Sequence, residues 1–514
     1  MFGSSAFAVP MLEALAKSVD AGVVADTVPQ DLETEAHLTL WHDSDPGELT
    51  LLKLCPGTTA KAIEHKYDQF TSYDTNRRVS SFVGERSLPA ESRWQVRQLT
   101  TLCKLMARTS PVFILASLQK TITVDGQQGA EAITEASLRL DMLRDKNRLG
   151  YFSRNDTHKD GVQSVRFKGL IQQIEEGTNG TDGRPSPYGS HIVDMKGKPL
   201  TLQFLREYAK RVMILFGRAR VMIMSYDTRQ DLETSIDGDR LVPMPNSMKP
   251  YLLGGSIAGF QTQGHVVFFE TDNVLTPEYA WGKYVDTLTE GAPTGRPTVG
   301  TPTIGAPPSG VTSNWDADTT LDVYWIFTET KDELESLGTR KPATGTSSVA
   351  VGQIATFSVT PSNPLADSFR VYRGTSEDAA DTDAWFLFEV ANSGGGAAVT
   401  VRDTNDWRPG CSVAFLLSIT SKSMDALHNV GSDNALVDNY EHVKANALDF
   451  FQMQDNPAKN TVTWAHLGPA MGTMELGNFL MTVRRPVLFS AGTPIVRNAW
   501  QNVVFKNIGN LTVA

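Results

Sequence analysis

The chain has 514 residues, 40% of them hydrophobic and 20% charged, with 58 acids against 47 bases and a net charge of −11. That length suggests about three domains at roughly 150 residues each, with enough apolar mass for a sizeable core. The acidic balance excludes a broad basic face that grips nucleic acid, and the widely spaced Cys55, Cys103 and Cys411 make neither a disulfide framework nor a zinc site.

The N-terminus lacks the basic stretch of a signal peptide, and residues 7–19 predict a short amphipathic helix. No uncharged apolar run reaches the ~18 residues of a membrane span. Residues 20–60 read as an arm. Residues 65–89, HKYDQFTSYDTNRRVSSFVGERSLP, mix strand formers with charge, and their apolar residues do not add up to a core. Their return, SRWQVRQLTTLCKLMA, predicts pairing as a long hairpin, without the Asn-Gly or Asp-Gly of a tight turn.

Residues 129–152 predict a helix about 33 Å long, at 1.5 Å per residue, with an apolar stripe of Ile133, Ala136, Leu140 and Leu143 and a stop at Gly150. A second helix is expected over 201–217, with Leu202, Leu205, Ala209, Val212 and Leu215 on one side and Gly217 closing it. Apolar runs at 220–226 and 265–270 have strand length, so these segments imply an α+β domain. Residues 291–310 are rich in Pro, Gly and Thr and read as a linker without a core pattern. Strands are expected after it over 321–329, 348–359, 368–374, 384–390, 397–403 and 412–420, a small immunoglobulin-like β-sandwich. The last residues read as the helix NYEHVKANALDFFQM and then extended chain that supplies partners for the helices before the module, so the module is inserted.

The chemical inventory is empty. There is no H-E-x-x-H, C-x-x-C, nucleophile elbow or phosphate loop. LLGGSIAGF (252–260) predicts a bend at close backbone packing, and EYAKR and RRP read as short solvated basic clusters. The sequence therefore predicts no catalytic residue, cofactor or metal, and segments that cannot bury themselves point to an assembly subunit.

Three stretches carry a resemblance: KYDQFTSYDTNRRVSSFVGERSLP, RFKGLIQQI and RRPVLFSAGTPIVRNAWQNVVFKNIG. In their order the chain resembles the major capsid proteins of tailed double-stranded-DNA bacteriophages with the Hong Kong-97 type fold, most of all large-myovirus forms with an inserted β domain. The resemblance implies an N-terminal arm (1–60), an extended E-loop (61–110), a peripheral domain with spine helix (111–200), an axial domain (201–290), an inserted β-sandwich with its linker (291–424) and a return to the axial and peripheral domains (425–514). It implies intersubunit contacts at Lys66, Tyr67, Asp68, Phe70, Tyr73, Arg77, Arg78, Phe82, Glu85, Arg86 and Trp94.

The implied partners are further copies in hexamers and pentamers, then portal, scaffold, maturation protease and decoration proteins. Packaged double-stranded DNA would be contacted weakly, no membrane is implied, and the place is the virion after assembly in the host cytoplasm. Some members weld subunits through a Lys-Asn bond, for which Lys66 and Asn507 are the residues to inspect. Alternatives are an encapsulin-like compartment shell, a phage tail sheath or tube subunit, and an enzyme with an accessory β domain.

Overall fold

The computed structural model describes residues 49–55, 57–73, 94–109, 112–113, 123–124, 127–128, 130–180, 186–215, 217, 219–235, 259–262, 266–276, 282–288, 291–315, 321–375, 380–419, 461–467, 472–476 and 483–509. The helices expected over 7–19 and 439–453 lie outside them. The chain divides into two compact units. One is made of Met1–Pro46, Leu105–Lys146 and His466–Gly492, the other of Gly47–Lys104, Asn147–Ala465 and Thr493–Ala514.

In the first unit Gly472–Leu476 pairs antiparallel with the long strand Val483–Val496, Gly472 opposite Phe489 and Leu476 opposite Arg485. Arg108 is paired with Asp145 and lies 3.8 Å from Asp141, on the helix Ala130–Phe152. On the same helix Lys146 is buried, 3.2 Å from Ser490 Oγ, and burial pushes its amine down to about 8.

A six-stranded mixed sheet centres the second unit, in the order Gly259–Gln261, Val266–Thr271, Val221–Met224, Ser412–Leu417, Val503–Ile508, Ile192–Asp194. Alternation along the strands builds two cores. Val221, Ile223, Phe415 and Val504 face one, covered by Leu170, Ile171 and Ile174 of the helix Leu170–Asn179. Met222, Met224, Leu416 and Phe505 face the other, covered by Leu205, Ala209 and Val212 of the helix Leu202–Ile214. The Thr201 side chain caps that helix by accepting from Phe204 N, and Gly217 N donates to Val212 O at 2.9 Å. Gly259 sits where a Cβ would lie 2.2 Å from Val267 O, the close backbone packing expected of its glycine-rich run.

The helix Ala130–Phe152 departs from its expected stripe. Leu138, Met142 and Tyr151 are buried, whereas Leu140 and Leu143 are half-buried. Asn147 is also buried. Its Nδ2 donates to Asp272 Oδ2 at 2.8 Å, its Oδ1 accepts from Leu52 N at 3.3 Å, and Tyr151 OH donates to the same Asp272 oxygen at 2.9 Å. Polar groups that find partners only in the folded chain occupy core positions, so an apolar periodicity misplaces the buried face. Gly150 is no stop: the helix continues to Phe152, and a Cβ at Gly150 would stand 2.8 Å from Leu51 Cδ2 and 2.9 Å from the Trp464 ring.

The β module is a two-sheet sandwich inside the second unit. One sheet holds Ile354–Thr360 with Thr298–Val299, Thr303–Gly305 and Val399–Asp403. The other holds Leu321–Lys331, Ser368–Thr375 and Trp385–Ala391 with three short strands on the edge of the first. Phe357, Val359 and Val401 from one sheet meet Trp325, Phe327, Phe369 and Leu387 from the other. A buried ion pair joins the sheets: Arg373 donates to Asp403 at 2.7 Å, both side chains are 2% exposed, and Trp325 Nε1 donates to the same carboxylate at 2.8 Å.

Two expectations change here. The Pro/Gly/Thr run is no bare linker, because Thr298–Val299 and Thr303–Gly305 are sandwich strands and Val299 is buried. The strand expected over 412–420 is not in the sandwich. Ser412–Leu417 lies antiparallel between Val221–Met224 and Val503–Ile508 in the central sheet. The chain thus leaves the central sheet after Thr271 and returns at Ser412, with the sandwich between.

Candidate functional site

The charged stretch that begins at residue 65 does form a ribbon. Glu64–Tyr73 pairs antiparallel with Trp94–Leu102, from Glu64 opposite Leu102 to Tyr73 opposite Trp94, with a register shift between Phe70 and Ser72. At ~3.3 Å per residue, the paired strands extend about 30 Å. Among the described residues no third strand joins either one. A two-stranded ribbon is marginally stable by itself in water, and the edge of a sheet is where a further strand can add.

The root of the ribbon is tied to its own unit. Cys103 N donates to Ile63 O at 2.8 Å, Thr101 Oγ1 lies 3.4 Å from Thr493 Oγ1, and the Arg497 guanidinium stands 5.8 Å from the Tyr67 ring centroid. Ile63 is 64% exposed there. Lys66 is exposed and lies 3.6 Å from Glu64, and Tyr67 is half-buried. Asp68, Phe70, Tyr73 and Trp94 lie on the paired strands, while Arg77, Arg78, Phe82, Glu85 and Arg86 lie outside the described residues.

Asn507 is not available for a bond to lysine. It is 1% exposed, in the left-handed region at φ 56°, and its Nδ2 donates to Asp194 at 2.8 Å and to Asp406 O at 3.0 Å. Its Oδ1 accepts from Arg408 N at 2.9 Å, so the amide fastens the chain as it returns from the sandwich.

A second charged arrangement escaped the sequence. Arg166, on the segment before the helix Leu170–Asn179, makes a fork to Glu389 at 2.5 and 3.0 Å and another to Glu333 at 2.6 Å. Both carboxylates belong to the sandwich. Beside them Arg370 pairs with Glu335 at 2.9 Å, and Lys159 reaches Asp367 at 2.9 Å. Burial pushes the Glu389 carboxyl up, but Arg370 and Arg166 outweigh it and hold the group below its usual range. Burial likewise raises Asp367, and Lys159, the Asp332 amide and His158 bring it below the ordinary value. None of the four hydrophobic clusters contains both sandwich residues and residues of the central sheet. Among the described residues, ion pairs and hydrogen bonds join the two cores where no cluster spans them. No spacing in the sequence could reveal pairs separated by 167 and 223 residues.

Catalytic groupings are sparse. Among the described residues no three metal-ligating side chains converge, and no helix is long and apolar enough to cross a membrane. Ser186 Oγ lies 2.8 Å from His191 Nε2, and His191 Nδ1 lies 3.1 Å from Asn502 O. Both side chains are buried, and the shallow depression beside them is lined by His191, Tyr188, Ser190, Tyr208, Arg211 and Val503 but not by Ser186. That arrangement satisfies buried polar atoms without offering a nucleophile to a substrate.

No protein-family model matches the chain, and no curated protein matches it. Solved structures align with most of its length at low TM-score. One is described as Gordonia phage Cozz, with TM-score 0.40 and 8% identity over 95% of this chain and 94% of that one. The capsid structure of the cyanophage P-SCSP1u gives TM-score 0.38 and 6% identity over 93% of each chain. The holo-SrpI encapsulin complex of Synechococcus elongatus gives TM-score 0.33 and 8% identity over 95% of each.

Proposed function

We propose that the chain is a shell-forming subunit, the major capsid protein of a tailed double-stranded-DNA bacteriophage. The observation that carries this reading is the ribbon, long, charged and paired with no third strand among the described residues. Its missing core would be a neighbouring copy, and its alternating charge would set specificity and register at that contact. In this reading residues 61–110 are the E-loop, the helix Ala130–Phe152 is the spine, and the sandwich is an immunoglobulin-like insertion. Closed shells use many modest, repeated contacts whose sum is durable. A net charge of −11 suits a shell that encloses DNA without gripping its phosphates.

Electron microscopy of the purified protein, co-expressed with its scaffold, tests the reading. Closed icosahedral shells or hexamer and pentamer rings support it. Helical tubes would replace it with a tail subunit, and persistent monomers would overturn it.

A further inference from the structure

The root of the ribbon holds a cation that meets no carboxylate among the described residues. Arg497 directly follows the strand Val483–Val496, and its main-chain N–H donates to Thr461 O at 2.7 Å, which fixes its position. The side chain is half-buried over Tyr67, and its Nε is buried with no hydrogen-bond acceptor among the described residues. His65 lies beside Tyr67 on the same face of the ribbon, ring centroids 6.4 Å apart, and its Nε2 is likewise buried with no hydrogen-bond partner among the described residues. His65 stands opposite Thr101, whose hydroxyl meets Thr493. On the other face Lys66 and Glu64 have each other, so they do not neutralise Arg497.

Four other arginines drawn from water in this chain have carboxylates. Arg154 has Glu175 at 2.9 Å, Arg166 has Glu389 at 2.5 Å, Arg370 has Glu335 at 2.9 Å and Arg373 has Asp403 at 2.7 Å. A buried donor left unmade and a desolvated charge left unpaired both cost free energy. Burial lowers the proton affinity of Arg497, and burial together with Arg497 lowers that of His65. An incoming anion would reverse both effects.

We propose that Arg497, with His65 and Tyr67, receives an aspartate or glutamate carboxylate from a second copy of this chain. The proposal rests on the assembly reading and adds to it the chemistry of one contact. A guanidinium presents a fork that matches a carboxylate, and the Nε2–H tautomer of His65 supplies a further donor. The complementary charge is abundant, since the chain carries 58 acids against 47 bases. The site adjoins the ribbon, which no third strand joins among the described residues, and the exposed Ile63, the surface a neighbouring copy would cover.

The test compares the full-length wild type with Arg497→Gln and Arg497→Lys, each co-expressed with the scaffold, by sedimentation and electron microscopy. Arg497→Gln is expected to lower the assembled fraction about tenfold or more, because it leaves the neighbour's carboxylate unpaired. Arg497→Lys is expected to restore part of it. The thermal midpoint of the dispersed subunit should hardly fall in Arg497→Gln, since among the described residues the cation meets the Tyr67 ring and no carboxylate. In parallel, p-benzoylphenylalanine at position 63, with Arg497 intact, is photolysed in particles mixed from light and heavy isotope-labelled chains. Cross-links to an acid-bearing peptide of another copy support the proposal even where Arg497→Gln misfolds. Normal assembly of Arg497→Gln, or cross-links confined to one copy, overturns the proposal and leaves the shell reading standing. A wild-type chain that stays dispersed overturns both.

Discussion

The strands Leu321–Lys331 and Glu64–Tyr73 have 11 and 10 residues, and both mix aromatic, β-branched and charged side chains. The first pairs with Ser368–Thr375 on one edge and with three short strands on the other, and its inward side chains reach the facing sheet. The second has one partner strand and no facing sheet among the described residues. Strand propensity is therefore satisfied in both, yet among the described residues the sandwich strand has a facing sheet and the ribbon strand has none. The comparison teaches that a strand's sequence sets its local form, while the availability of a second layer decides whether it is part of a domain or a surface for another molecule.

Removing residues 68–88 breaks the contrast at its weaker side and is expected to have the largest effect. Assembly should be abolished in electron micrographs, while circular dichroism still reports a folded subunit. A deletion variant that still closes shells would falsify the ribbon's assigned role.

The sandwich should respond in the opposite way, through its own stability. Phe357→Ala empties a site between the two sheets and is expected to cost about 3–5 kcal/mol. Asp403→Ala strands Arg373 in the core at a comparable cost of about 3–5 kcal/mol. Hydrogen exchange on the full chain should show the loss confined to residues 298–403, with the central sheet protected.

A smaller effect is expected at the charged junction. Arg166→Ala removes both carboxylate forks and should speed proteolysis between the sandwich and the central sheet without unfolding either. Acid should act in the same direction. The Glu389 and Asp367 carboxyls sit below their usual range in the folded chain, so their contribution is present above the unfolded values near 4.5 and 3.8. It is lost as pH falls through the folded values beneath them. Exchange at the junction should therefore rise below about pH 4, the ordinary carboxylate range. Unchanged exchange there would remove the clamp as the fastening.

Lys66→Ala marks the lower end of the scale. Lys66 and Glu64 are 54% and 53% exposed, so the subunit's melting midpoint should hardly move, in line with the ~0–1 kcal/mol of surface pairs.

Much of this architecture was legible in order along the chain. The helix at 202–214, the strands at 221–224 and 266–271 and five of the sandwich strands follow from apolar periodicity and turn residues, because these report what each segment does locally. The hairpin was legible from strand formers on both arms. The destination of Ser412–Leu417 was not, since a fully buried strand reads alike in a sandwich and in a central sheet, and only its pairing with residues 221–224 and 503–508 separates them. Nor was the buried face of the helix 130–152, where Asn147 and Tyr151 hold Asp272 at a distance of more than 120 residues in sequence. Of the candidate site, the ribbon that carries Lys66 and Tyr67 was legible as a hairpin, and the placement of Arg166 and Arg497 was not.

By itself, the sequence determined the periodicities, the turns, the acid surplus and the lack of a catalytic motif, all of which depend on neighbours a few residues apart. Only the tertiary structure decided which charges are neutralised. Ion pairing depends on distances of a few ångströms between residues far apart in the chain, and these exist only once the two sheets and their helices have packed.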